Sequence, residues 1–265
     1  MTEMIWFARA TAHRMGMATA PIAAAMALAL CTAPGCDAAM ADDTAASESA
    51  LTHPHHGNPN PQLFEPDSRP FGIAMDSWAE EWWRWDFSIP KDSNPSVNAT
   101  EDCDQHQHGP VFFVPTFPAG TVSERSCTIR HRAAIAMSLS TVVNEFPCPD
   151  PTFLPAPGQS LFDFLVAGAK GPQDALTEIA VSLDGVPLNN LMDYRVTSNR
   201  LMLITGDLSL QVLDSCILGK PQPAAVDAFF IVFKRLEPGP HVVTTRTVSN
   251  TGKVRGPLTY HLDIR

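Results

Sequence analysis

The chain has 265 residues, 45% of them hydrophobic, and carries a formal charge of −10 at pH 7. That length and apolar content suit one large folded domain, or two small ones sharing a core, and exclude a wholly disordered chain. The acidic balance repels phosphate groups and anionic headgroups, and no basic cluster interrupts it, so nucleic acid is excluded as a partner and a membrane surface is disfavoured.

The chain opens like an export signal. Arg9 and Arg14 lead into an apolar run from Met15 to Leu30, followed by small residues and two cysteines, Cys31 and Cys36. The run is shorter than the ~20 apolar residues a spanning helix needs, and it is mostly Ala and Met, so a removable leader is expected over residues 1–36. Two cleavage chemistries fit. Ala39-Met40-Ala41 has the A-x-A form of an ordinary signal-peptidase site. Ala33-Pro34-Gly35-Cys36 resembles a bacterial lipobox, in which Cys36 would carry lipid and provide the only membrane contact. Residues 37–69 are rich in Ala, Ser, Asp, Pro and His and read as a flexible tether. His53, His55 and His56 fall inside it and are read as incidental rather than metal-binding.

A single β-rich domain is expected over residues 70–265. Ser77 and Glu80 form a capping box that opens a helix through about Phe87, and Ile89-Pro90 stops it. Trp78, Trp82 and Trp85 share one face of that helix, with Trp83 on a second edge. Beyond residue 110 the period changes to two. Val111 to Val114 reads as a buried strand, and Ile135, Met137, Leu139, Thr141 and Val143 alternate along another. Ser160 to Ala169 reads as a short inserted helix ended by Gly168 or Gly171. Ile179, Val181 and Leu183 run into an Asp184-Gly185 hairpin turn, and further strands are expected at Arg200–Ile204, Phe229–Phe233, His241–Val248 and Leu258–Ile264. Short strands separated by Gly/Pro turns predict a mainly β, sandwich or jelly-roll-like domain with one N-terminal Trp-rich helix.

Four cysteines follow the leader: Cys103, Cys127, Cys148 and Cys216. An even number in an exported chain implies two disulfides, and four cysteines allow three pairings. The favoured one is Cys103–Cys127 with Cys148–Cys216. Zinc is the alternative, but the chain has no C-x-x-C pair.

Several blocks resemble a family of uncharacterised exported bacterial proteins. They are Trp78-Ala79-Glu80-Glu81-Trp82-Trp83-Arg84-Trp85 followed by Ser88-Ile89-Pro90, Gly109-Pro110-Val111-Phe112-Phe113, Arg125-Ser126-Cys127-Thr128-Ile129, Asp184-Gly185-Val186-Pro187-Leu188, Tyr194-Arg195-Val196 and Leu236-Glu237-Pro238-Gly239-Pro240-His241. The resemblance implies a secreted β-rich protein and carries no activity with it. The chain departs from the family after Ile129, where Arg130-His131-Arg132 replaces the expected Pro-x-Gly turn.

Three constellations bear on chemistry. The tryptophan helix could stack on a sugar ring or grip an apolar ligand, with Trp82, Trp83, Arg84 and Trp85 as contacts and Trp83 as the exposed ring; the alternative is that the indoles fill the core. His106-Gln107-His108 would point two imidazoles to one side if it lay on a strand, with His241 as a third metal ligand and Asp102 or Asp104 supplying oxygen. Glu80, Glu81 and Asp86 could form a glycosidase carboxylate pair. No G-x-S-x-G elbow, P-loop or dinucleotide fingerprint occurs. No cofactor is expected. The sequence favours a non-enzymatic, exported module that binds a small molecule, a glycan or an envelope protein. The alternative is an exported metal-dependent or glycan-acting enzyme using His106 and His108 or the acids of the Trp helix.

Overall fold

A computed structural model describes residues 58–116 and 123–265. The leader, the two cleavage motifs, Cys36 and His53, His55 and His56 lie outside the described residues. The domain is mainly β, built from two mixed five-stranded sheets and two helices, α1 at Met75–Ser88 and α2 at Leu161–Asp174. The first sheet contains β1 (Val111–Val114), β3 (Ala134–Glu145), β6 (Arg195–Thr197), β7 (Met202–Ile204) and β8 (Gln222–Phe233). The second runs in the order β2 (Glu124–Ile129), β10 (Val254–Ile264), β9 (Gly239–Ser249), β4 (Leu176–Leu183) and β5 (Val186–Pro187). Each sheet carries one parallel edge pair, β1 with β3 and β2 with β10, which departs from an all-antiparallel jelly roll.

The twelve-residue β8 is the spine. One edge pairs with β3. The other is shared by β7, by β6 and by a bridge from Leu63 to Phe233. That bridge moves the domain boundary. Residues 58–69 were expected in a flexible tether, but Leu63 is fully buried, Phe64 N–H donates to the Val232 carbonyl, and Asn60 exchanges side-chain hydrogen bonds with Asn189. Polar composition concealed one strand-like contact, made by Leu63, that docks the segment.

The first sheet has a core on each face. Between the sheets, Ile135, Met137, Phe229, Ile231 and Phe233 meet Val181, Val243, Tyr260 and Leu262. On the opposite face, Ala134, Ala136, Ala224 and Ala228 leave room for the indoles of α1. Such pairing of small and large residues brings a helix close to a sheet at full packing density.

The β3 pattern is broken by a bulge between Ser138 and Ser140. A single extra residue inverts the side to which later residues point. Ile135 and Met137 therefore face the second sheet, whereas Thr141 and Val143 face α1. The expected single face for all five residues is corrected accordingly.

Helix α2 is longer than expected. Ser160 caps it, its Oγ accepting from Asp163 N–H at 3.0 Å, and it continues through Gly168 and Gly171 to Asp174. Gly168 is not a stop. A Cβ there would collide with the Asn144 amide, which donates to the Leu165 carbonyl at 3.0 Å, so glycine lets α2 press onto β3. Asp184 and Gly185 both have positive φ, 51° and 79°, which closes the β4–β5 hairpin. Paired positive φ values suit the primed two-residue turns that match strand twist.

The cysteines form Cys103–Cys127 and Cys148–Cys216, with Cα separations of 5.4 and 4.3 Å. They close 24 and 68 residues of chain. In the chain-entropy account loops of that size contribute about 3 and about 4 kcal/mol.

Candidate functional site

Helix α1 begins at Met75, two residues before the expected Ser77 cap, and Ala74 at its N-cap makes no side-chain hydrogen bond. Glu80 does not close a capping box because it is buried against the sheet, where its Oε1 accepts from Ser198 Oγ at 2.8 Å. The C-terminus is as expected, with Ile89 extended ahead of Pro90.

All four tryptophans of α1 are interior. Trp78, Trp82, Trp83 and Trp85 are each at most 5% exposed. The expectation that Trp83 presents a free ring is corrected: it is 2% exposed, and its Nε1 donates to Thr141 Oγ1 at 2.8 Å. The other indoles are satisfied too. Trp78 donates to the Pro70 carbonyl, Trp82 to Val114 and Trp85 to Gln105, at 2.8–3.0 Å. A buried indole needs its N–H paired, and each donor here also pins a segment to the helix. Arg84 is the partly exposed member of the group. It pairs with Glu81 at 2.7 Å and donates through Nε to the Leu203 carbonyl at 3.0 Å, holding α1 to β7. Trp82, Trp83, Arg84 and Trp85 therefore form the helix–sheet joint rather than a ligand platform.

The acids of α1 divide by depth. Glu81 is half exposed, whereas Glu80 and Asp86 are buried. Burial pushes the Glu80 carboxyl up, against the lowering effects of Ser198 and Arg84. Burial drives Asp86 much further, to about 7, and hydrogen bonds from Ser96 and Asn94 do not offset it. Among the described residues its Oδ1 has no hydrogen-bond partner. A raised carboxyl pKa suits a general acid, but a glycosidase pair must flank a bound sugar. Asp86 is 1% exposed and lies on the indole-packed helix.

His106 and His108 lie in a loop, not on a strand, and both are exposed. His106 has φ of 52°, and its carbonyl meets His108 Nδ1 at 2.9 Å. The strand geometry that would aim both rings together is absent. Gln107, between them, has the architectural role. Its amide accepts from Phe113 N–H at 2.9 Å and donates to the Phe113 carbonyl at 2.7 Å, imitating a neighbouring strand along the edge of β1.

His241 is committed elsewhere. Its Nδ1 lies 2.7 Å from Asp184 Oδ2 and its Nε2 lies 2.9 Å from the Glu237 carbonyl. Burial lowers its pKa, but the Asp184 hydrogen bond and charge outweigh that and leave it raised. Both ring nitrogens are therefore engaged within the β4–β5 and β9 turns. Among the described residues, the three histidines do not converge on a common point. Ligand atoms of Glu145, Asp214 and Cys216 do lie within 4.8 Å of one another, but the Cys216 sulfur is bonded to Cys148 and is no thiolate ligand.

Two buried charged side chains, Asp227 and Arg125, carry no local signal in the sequence. Asp227, fully buried on β8, accepts from Arg195 Nε at 2.9 Å and from Thr197 Oγ1, and Arg195 also reaches Asp174 at 2.6 Å. Arg125, 5% exposed on β2, donates to Cys103 Sγ at 3.2 Å and to the carbonyls of Pro95 and Glu101. Only its position two residues before Cys127 hinted that it belonged to the disulfide.

Comparison with known families, with curated proteins and with solved structures gave no match to this chain.

Proposed function

We propose that the chain is an exported protein of the cell envelope, with a disulfide-stapled β-sandwich that binds a partner or ligand rather than catalysing a reaction. The observation that carries this reading is the bridging of all four cysteines beyond the leader, Cys103 to Cys127 and Cys148 to Cys216. Bridges of this kind persist in oxidising compartments. The apolar leader with its lipobox-like and A-x-A motifs supports export, as does the resemblance to exported bacterial proteins. No helix among the described residues is long and apolar enough to cross a membrane. With the tryptophans of α1 interior, recognition falls to other surfaces, and the sugar-stacking role for Trp83 lapses.

Expression of the full chain in a bacterial host, with and without Cys36→Ser, tests the address. The processed chain is expected in the envelope fraction, and Cys36→Ser is expected to release it from the membrane if lipid is attached. Retention in the cytosol with the leader uncut contradicts export. Metal analysis of the purified protein tests the enzyme alternative. A stoichiometric metal lost on His106→Ala would overturn the binding reading.

A further inference from the structure

The two disulfides sit among different neighbouring groups. Cys103 Sγ lies 3.2 Å from the Nε of a buried guanidinium, Arg125. The other Arg125 nitrogens donate to the neutral carbonyls of Pro95 and Glu101. Asp102 and Glu101 act on Arg125 only at longer range, and the phenol that faces it, Tyr260, is buried and held above its ordinary range by desolvation. Among the described residues this cation has no anion in direct contact. Around the second bridge the near groups are carboxyls instead. Cys216 Sγ lies within 4.8 Å of carboxylate oxygens of both Glu145 and Asp214, all three residues being buried. A neighbouring cation stabilises a thiolate, whereas neighbouring carboxyls in an apolar setting disfavour one.

We propose that Cys103–Cys127 is a reducible latch, opened by dithiols ahead of Cys148–Cys216, with Arg125 stabilising Cys103 as the departing thiolate. The attacking thiolate of the dithiol bonds to Cys127 Sγ, and the Cys103–Cys127 bond breaks with its electron pair on Cys103. The second thiolate of the dithiol then displaces Cys127 from the mixed disulfide. The products are the oxidised dithiol, a protonated Cys127 thiol, a Cys103 thiolate opposite Arg125, and one proton released to solvent. A better leaving thiol departs faster, which directs attack to Cys127.

Both sulfurs are buried, so attack requires local opening. That opening need not disturb either sheet's interior, since β2 is an edge strand and the chain from Lys91 to Pro110 contains no helix or strand. The latch secures the segment that carries Gln107 and its cover for the edge of β1. An uncovered strand edge is a ready pairing surface.

The test is graded reduction of the full protein with dithiothreitol, with alkylation and mass mapping of each cysteine. Cys103 and Cys127 are expected to be alkylated about threefold faster or more than Cys148 and Cys216, the ratio that one pKa unit between leaving thiols gives through a Brønsted coefficient of about 0.5. Simultaneous opening, or Cys148–Cys216 first, overturns the proposal. The second readout avoids any loss of folding in an Arg125 variant. In Cys127→Ser, the Cys103 thiol is titrated by its alkylation rate against pH, with the remaining bridge intact. A midpoint below the free-thiol value of about 8.5 is expected, because burial alone would raise it. A midpoint at or above that value overturns the role of Arg125.

Discussion

Replacing Asp86 with asparagine isolates the energetic consequence of burying a carboxyl under the tryptophan helix. The residue is 1% exposed, its Oδ1 has no partner among the described residues, and burial lifts its pKa from 3.8 to about 7. Between those two values the native state holds the proton more tightly than the unfolded chain does. Stability from this group is therefore fully present below pH 3.8 and declines as pH rises toward the raised pKa. A rise of this size corresponds to about 4 kcal/mol. Asparagine keeps the shape and cannot ionise. Urea unfolding at pH 4, 6 and 8, with disulfides intact and tryptophan fluorescence as the probe, reads the difference between Asp86→Asn and the native sequence. The variant is expected to gain about 4 kcal/mol relative to the native protein between pH 4 and 8. A difference that stays constant across that range refutes the reasoning, because it means the carboxyl does not titrate abnormally in the fold.

The His241–Asp184 pair moves stability in the same direction through opposite chemistry. The His241 pKa is raised, so its contribution is complete below about 6.5 and is lost as pH climbs through the raised value. NMR titration should place the midpoint above about 6.5 and return it toward that value in Asp184→Asn; since the pair is partly exposed, the stability change should stay under about 1 kcal/mol. Trp82→Ala should cost about 3–5 kcal/mol in urea unfolding, the range for emptying a buried aromatic site. Gly168→Ala should destabilise by about 1–3 kcal/mol despite alanine's better helix propensity, because the added methyl meets the Asn144 amide. The same substitution in an Asn144→Ala background should cost much less, and additive costs in the double variant would show that the two residues do not collide.

What the sequence revealed depended on whether a signal was local. The stop at Ile89-Pro90, the Asp184-Gly185 turn and the helix start at Ser160 are legible because each acts on its own few residues. The long-range features are not. Ala134 and Ala136 read as the plain side of an alternating strand, yet they are the floor that receives the indoles of α1. The bulge at Leu139 left no mark in composition and reversed the facing of Thr141 and Val143. Gly168 carried the usual signature of a helix end, and only its proximity to Asn144 shows the packing role. For the candidate site, residue types were visible but their depth was not. Trp83 and Asp86 are interior, His241 has both nitrogens engaged, and Gln107 rather than its flanking histidines holds the edge of β1. Several sequence blocks are anchors of this fold. The WW-rich segment is the helix–sheet joint, Arg125-Ser126-Cys127 is the clamped bridge, and His241 reaches back to Asp184.

The central claim is that the chain leaves the cytoplasm and is locked by two sulfur–sulfur bonds. Intact mass of the protein recovered from the envelope fraction, measured after alkylation without reductant, addresses both parts at once. The account predicts a processed chain in which Cys103, Cys127, Cys148 and Cys216 all resist alkylation. Recovery of the unprocessed chain with these four thiols modified would contradict it.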